Sequence, residues 1–185
     1  MTRLSYRHWP AHSRETLLDT PSYRIHRDHV TQPDGGPGTF EWHESTCDGA
    51  VIVAVNDADE IALVRYTTYV HGEILTLPGG TLEPGETPLD AATREVAEEA
   101  GVTAGTWTKL GETALMTKCS ARLHMFAARD LTIGQQRLTG TETGMKVEWL
   151  PLNEAVDAAL NGRLTLAGSA LAVLAFAQLL GRESA

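Results

Sequence analysis

The chain has 185 residues and a formal charge of −9 at pH 7, from 24 acidic and 15 basic side chains, with a hydrophobic share of 42%. That is enough for one substantial core, and a second complete domain is not expected. The acidic balance and scattered Lys and Arg argue against nucleic acid as a partner, whereas a small phosphorylated substrate stays compatible because a bound divalent cation reverses the local field.

Residues 1 to 46 are polar and mixed. The opening MTRLSYRHWPAHSRET lacks the apolar core of a secretory signal, so a cytoplasmic location is expected. Two short candidate strands, Tyr23 to His26 and Thr39 to Trp42, flank the turn-rich Pro33 to Gly38. Gly49 to Val55 and Ile61 to Tyr66 are β-branched runs separated by Asn56 to Asp59, a pattern that reads as a hairpin of buried strands. Cys47 and Cys119 are too few for a disulfide framework and lack the paired spacing of a zinc site, so both are expected as thiols.

Turns at Pro78-Gly79-Gly80 and Pro84-Gly85-Glu86 lead into a predicted helix from Pro88 to Ala100. Thr87 suits the N-cap, Pro88 the first helical position and Asp90 the capping partner, while Gly101 supplies the stop. Leu89, Ala92, Val96 and Ala100 form its apolar stripe. Strands are predicted at Trp107 to Met116, Arg122 to Ala128 and Met145 to Leu150, then helices at Asn153 to Leu160 and Ala167 to Leu180. The stretch Leu164 to Leu180 is broken by Thr165, Ser169 and Gln178, which fits a packed helix rather than a membrane span. The order of elements predicts an α+β or sandwich arrangement and not repeated βαβ units.

The chemistry concentrates in Gly80 to Val102, GTLEPGETPLDAATREVAEEAGV. Glu95, Glu98 and Glu99 stand three and four apart on one side of the predicted helix, where like charges oppose folding unless compensated. A hard divalent cation compensates directly, since Mg²⁺ prefers carboxylate oxygens together with phosphates and water. The competing reading is a solvated acidic face. Glu86 and Arg94 are spaced to pair and hold the loop against the helix, and Gly79 and Gly80 permit close approach of backbone oxygen to a metal.

This segment resembles the Nudix box: Gly80, five residues, Glu86, seven residues, Arg94-Glu95-Val96, one residue, Glu98-Glu99, one residue, Gly101-Val102. The resemblance implies a Nudix fold, a mixed β-sheet sandwiched between helices, with residues 1–46 as an N-terminal β extension and 47–185 as the hydrolase domain. It implies Mg²⁺ as cofactor, with Mn²⁺ as the alternative, held by Glu95 and Glu99, with Glu98 in support and the Gly79 carbonyl as a further ligand. It also implies Glu98, Glu99 and Arg94 in the catalytic machinery, with Gly80, Glu86, Arg94 and Gly101 supporting the site. The implied reaction is attack of water on a diphosphate with release of a nucleoside monophosphate.

Outside the box the chain is similar to the ADP-ribose pyrophosphatase subgroup, through Leu63-Val64-Arg65, MKVEWLPLNEAVD and Asn161-Gly162-Arg163-Leu164-Thr165. That likeness implies ADP-ribose or a nucleotide sugar as substrate and a homodimer joined through the N-terminal extension. It also assigns Glu142 as general base and, as substrate contacts, Trp42 and Arg65. The chain departs from the subgroup where Tyr66-Thr67-Thr68 stands in place of Gln-Tyr-Arg and Thr76-Leu77-Pro78-Gly79-Gly80 in place of Glu-Leu-Pro-Ala-Gly. Alternatives are a nucleotide-sensing Nudix domain without turnover and a nucleoside triphosphate pyrophosphohydrolase.

Overall fold

The computed structural model describes residues 8–183. The first seven residues of the expected 1–46 extension and the last two of the expected 47–185 domain lie outside the described residues. The chain divides into two compact units, one running to Cys47 and including Ala114–Ala121, the other formed by the remainder.

In the first unit, β1 (Ala11–Asp19), β2 (Tyr23–Thr31) and β3 (Pro37–Ser45) form an antiparallel sheet in that order. The two short strands expected here are each nine residues long, and β1 was not anticipated. Its sequence, AHSRETLLD, shows no clear apolar alternation because charge-assisted pairs join it to its neighbour. Arg14 donates to Asp28 through Nε at 2.7 Å and Nη2 at 3.0 Å, and Arg27 reaches both Glu15 and Glu41. Hydrophobic periodicity is silent about a strand held in this way.

The second unit contains β4 (Gly49–Ala54), β5 (Glu60–Thr68), β6 (Gly72–Thr76), β7 (Gly79–Thr81), α1 (Pro88–Glu99), β8 (Val102–Ala114), β9 (Arg122–Ile133), β10 (Lys146–Pro151), α2 (Leu152–Leu160) and α3 (Ala167–Glu183). One sheet has the order β7-β4-β9-β8 and the other β10-β5-β6. The expected β4–β5 hairpin is corrected: among the described residues an isolated bridge, Val55↔Ile61, joins the two runs, which then enter different sheets. β4 instead pairs parallel with β9, from Gly49↔Leu123 to Ala54↔Ala128, and antiparallel with β7. The Pro78–Gly80 turn is likewise corrected, since Gly79 and Gly80 lie in β7 opposite Val51 and Ala50.

β4 is apolar throughout because both of its faces are covered. Val51 and Val53 join a core with Leu63, Leu77, Val173 of α3 and Phe176 of α3. Ala50, Ile52 and Ala54 join a second core with Ala92 and Val96 of α1. Helices therefore lie on both sides of the mixed sheet, in the α+β sandwich that the box resemblance implied. Among the described residues no helix is long and apolar enough to cross a membrane.

Candidate active site

The helix that carries the acidic cluster begins where its capping residues require. Thr87 Oγ1 accepts from the Asp90 N–H at 3.2 Å while the Asp90 carboxylate accepts from the Thr87 N–H at 3.0 Å, a reciprocal capping box followed by Pro88 at the first turn. The helix closes at Ala100, and Gly101 adopts φ +67°. A Cβ at Gly101 would stand 2.8 Å from the backbone of Gln135 and Gln136, so the stop also lets residues 134–136 approach the helix end. Ala91, Ala92 and Val96 are buried, whereas Leu89, expected in the apolar stripe, is 40% exposed and Ala91 takes the inward position.

Arg94 organises the loop. Its Nε and Nη2 donate to the two oxygens of Glu86 at 2.8 and 3.0 Å, and Nη2 also reaches the Thr81 carbonyl at 3.0 Å. Its Nη1 donates to Glu95 Oε1 at 2.9 Å and Glu98 Oε2 at 3.3 Å. The guanidinium beside Glu86 holds that carboxyl down to about 2, helped by the Glu83 N–H. This fork, paired with a carboxylate on a preceding loop, is the expected loop-to-helix brace.

Glu95 and Glu99 are 7% and 5% exposed and lie against β7, whereas the Glu98 side chain is about a third exposed; Arg94 reaches both Glu95 and Glu98 but not Glu99. Gly80 makes the approach of Glu95 possible, because a Cβ there would stand 2.3 Å from Glu95 Oε1. Gly79 donates its N–H to Glu99 Oε2 at 2.7 Å, and among the described residues that is the donor recorded for the carboxylate. Burial raises the Glu99 carboxyl to about 8, opposed by the Gly79 N–H and reinforced by the charges of Glu95, Glu142 and Glu98. Burial is also the main cause of an upward shift at Glu95, against the pull of Arg94.

Two buried carboxylates with elevated proton affinity, one of them accepting a backbone N–H, bring together oxygen donors that could hold a cation. Among the described residues no three His, Cys, Asp or Glu side chains already converge as a metal cage. The donor set is nonetheless hard and anionic, which suits Mg²⁺ or Mn²⁺ with water and phosphate completing the shell.

Glu142 sits in the 3-10 turn Gly140–Glu142, with one carboxylate oxygen accepting the Thr139 N–H at 3.0 Å. Its charge adds to the upward shifts at Glu95, Glu99 and Tyr66. Arg65 is committed elsewhere, with Nε and Nη2 on Glu148 and Nη1 on Glu73 at 3.2 Å. Trp42 lies in the N-terminal sheet, where its N–H donates to Asp28 at 3.1 Å and Arg14 covers its ring.

The residues not foreseen are Tyr66 and Gln136. Tyr66, on β5, is raised by burial and by the fields of Glu99 and Glu142. The Gln136 amide donates to the carbonyls of Glu99 and Met145. A glutamine 37 positions beyond its partner leaves no periodic trace, so spacing offered no signal for it.

The NUDIX domain profile matches residues 46–167. The chain is 33% identical over 168 residues to an ADP-ribose pyrophosphatase of Mycobacterium tuberculosis, covering 88% of this chain and 80% of that protein. It is 28% identical over 172 residues to the CMP-5'-(N-acetyl-N-hydroxy-3-aminopropyl)phosphonate hydrolase of Streptomyces rubellomurinus, covering 90% and 81%. The crystal structure of an ADP compounds hydrolase superposes with a TM-score of 0.83 over 95% of each chain at 21% identity, a likeness of fold.

Proposed function

The chain belongs to the NUDIX family, and on that premise we propose that it hydrolyses the diphosphate bond of a nucleoside diphosphate joined to a second group, with release of a nucleoside monophosphate. ADP-ribose and nucleotide sugars lead as substrates, followed by CMP-linked metabolites, in keeping with the named activities of its relatives. The observation that carries this reading is the pair of buried carboxylates, Glu95 and Glu99, held close against β7, where Gly80 admits the Glu95 carboxylate and the Gly79 N–H donates to Glu99.

In this assignment Glu95 and Glu99 hold Mg²⁺ or Mn²⁺, with Glu98 and the Gly79 carbonyl in support. When bound, the ion polarises phosphoryl oxygens and neutralises charge on the departing phosphate. The chain's own residues supply the rest. Arg94 holds Glu95 and Glu98 against the loop and keeps Glu86 from swinging away. Glu142 accepts the proton of the attacking water through the oxygen not engaged by Thr139. Gly80 admits the Glu95 carboxylate and Gly101 the backbone of residues 134–136. Substrate contact by Arg65 would compete with its pairing to Glu148 and Glu73, and Arg14 already lies over the Trp42 ring.

We assign the N-terminal sheet to homodimer formation, because β1 is an edge strand with Leu17 and Leu18 39% and 45% exposed. The free thiols Cys47 and Cys119 suit a reducing cytoplasm.

The test is a panel of ADP-ribose, nucleotide sugars, CMP conjugates and nucleoside triphosphates, each with and without Mg²⁺. Metal-dependent release of nucleoside monophosphate from the diphosphate conjugates is expected. Preferential release of pyrophosphate from triphosphates would overturn the substrate class, and tight ADP-ribose binding without product would favour a sensor.

A further inference from the structure

We infer that Gln136 is a positioning residue, which fastens the turn bearing Glu142 to the last turn of the glutamate helix and thereby sets where the general base stands. The inference rests on the assignment of Glu142 given above.

The connection is continuous. Gln136 Nε2 donates to the Glu99 carbonyl at one side and to the Met145 carbonyl, at 3.5 Å, on the other. The Met145 N–H donates in turn to the Glu142 carbonyl at 2.9 Å, and the Thr139 N–H donates to the Glu142 carboxylate at 3.0 Å. A path of hydrogen bonds thus runs from the backbone of Glu99 to the backbone carbonyl of Glu142, whose carboxylate is held separately, within the turn, by the Thr139 N–H. Met145 itself is only 3% exposed, which makes it a fixed anchor for the turn.

The chemistry selects the side chain. Two carbonyl oxygens face one position, and an uncharged side chain that offers two N–H donors from a single atom is a carboxamide. Gln136 also relieves a general difficulty, since the last carbonyls of a helix have no partner within it. The neighbouring segment does the same: the Arg137 N–H donates to the Glu98 carbonyl at 2.9 Å, and the Gly134 N–H reaches the Gly101 carbonyl.

Apolar burial does little of this work. Ile133 is 63% exposed, and a cleft of about 570 Å³ lies between this segment and β10, lined by Ala100, Leu138, Val147 and Trp149 among others. With open space on one side, the polar bonds decide where residues 134–142 rest.

The test is a double-mutant cycle in kcat with ADP-ribose and saturating Mg²⁺, using Gln136→Met, which keeps length and neutrality but removes both donors, and Glu142→Gln. Gln136→Met is expected to lower kcat roughly tenfold when Glu142 is present and less than about twofold in the Glu142→Gln background, the non-additivity of residues acting as a unit. Amide exchange in residues 139–145 should accelerate in Gln136→Met while the thermal midpoint shifts little. An equal loss in both backgrounds, or full activity of Gln136→Met beside an impaired Glu142→Gln, would overturn the role of Gln136 alone. Full activity of Glu142→Gln would instead remove the general-base assignment, and this proposal with it.

Discussion

Glu86 and Glu99 lie on the same loop-and-helix segment, yet their surroundings push them in opposite directions, one carboxyl down to about 2 and the other up to about 8. Glu86 has an arginine fork on both oxygens, so its charge is answered within the chain. Glu99 is more deeply buried, has one backbone donor, and sits among three further carboxylates. The first arrangement is a brace. The second leaves a buried charge with a single backbone donor, an imbalance of the kind that the proposed cation would relieve.

Glu99→Gln should break the comparison most severely. Its kcat with Mg²⁺ is expected to fall on the order of 10³-fold, the scale of losing a group that anchors transition-state charge. Because the substitution removes a buried like charge, the metal-free protein should melt no lower than the parent at pH 8. A large fall in metal-free melting temperature together with intact activity would assign Glu99 to packing instead.

The pH dependence of the metal-free protein sharpens the same point. An acid whose folded pKa exceeds its ordinary value favours the fold while protonated, so this contribution is full below about 4.5 and lost as pH rises toward about 8. The melting temperature without metal should therefore decline across that window. Mg²⁺ should restore it progressively as the carboxylates ionise, and the Glu99→Gln variant should show a flatter profile. A metal-free melting temperature that climbs from pH 5 to pH 8 would contradict the burial argument.

Gly80→Ala and Gly79→Ala separate the site from the sheet. The new Cβ at Gly80 meets the flexible end of Glu95, so the fold should survive while Mg²⁺ affinity drops roughly 10- to 100-fold. At Gly79 the Cβ would stand 2.3 Å from the Ala50 carbonyl oxygen and 2.9 Å from Val51 Cα, which obliges backbone to move. That variant should lose stability first, as thermal melts beside metal titrations would reveal.

On the braced side, Arg94→Met should lower stability by about 1–3 kcal/mol, since it strands the carboxylates that the guanidinium bridges. Its activity should fall less than that of Glu99→Gln. The smallest effect belongs to the cap: Thr87→Ala should cost about 1 kcal/mol with kcat unchanged. Denaturant midpoints and steady-state rates check both.

The box was legible from the order of residues because its chemistry is local. Capping by Thr87 and Asp90, the stop at Gly101 and the pairing of Arg94 with Glu86 all join positions within eight residues or lie at a helix boundary, where spacing implies geometry. The helix bounds followed from the same short-range rules. Trio spacing alone did not reveal that Glu95 and Glu99 are buried while Glu98 stays partly exposed, because solvent exclusion is imposed by β7.

Pairings across long stretches of chain depended on the assembled fold. Two β-branched runs side by side suggested a hairpin, but an all-buried strand carries no label for its partner, and β4 joined β9 more than 70 residues away. β1 escaped notice because ion pairs, not apolar alternation, bind it to its neighbour. Arg65 is drawn to Glu148 across 83 positions, and Gln136 to Glu99 across 37, by the approach of elements that no local pattern encodes. Composition and spacing determined the acidic helix and its family signature; burial, strand partnership and the contact of Gln136 with Glu99 arose from tertiary contacts, because desolvation and long-range hydrogen bonding exist only once distant segments meet.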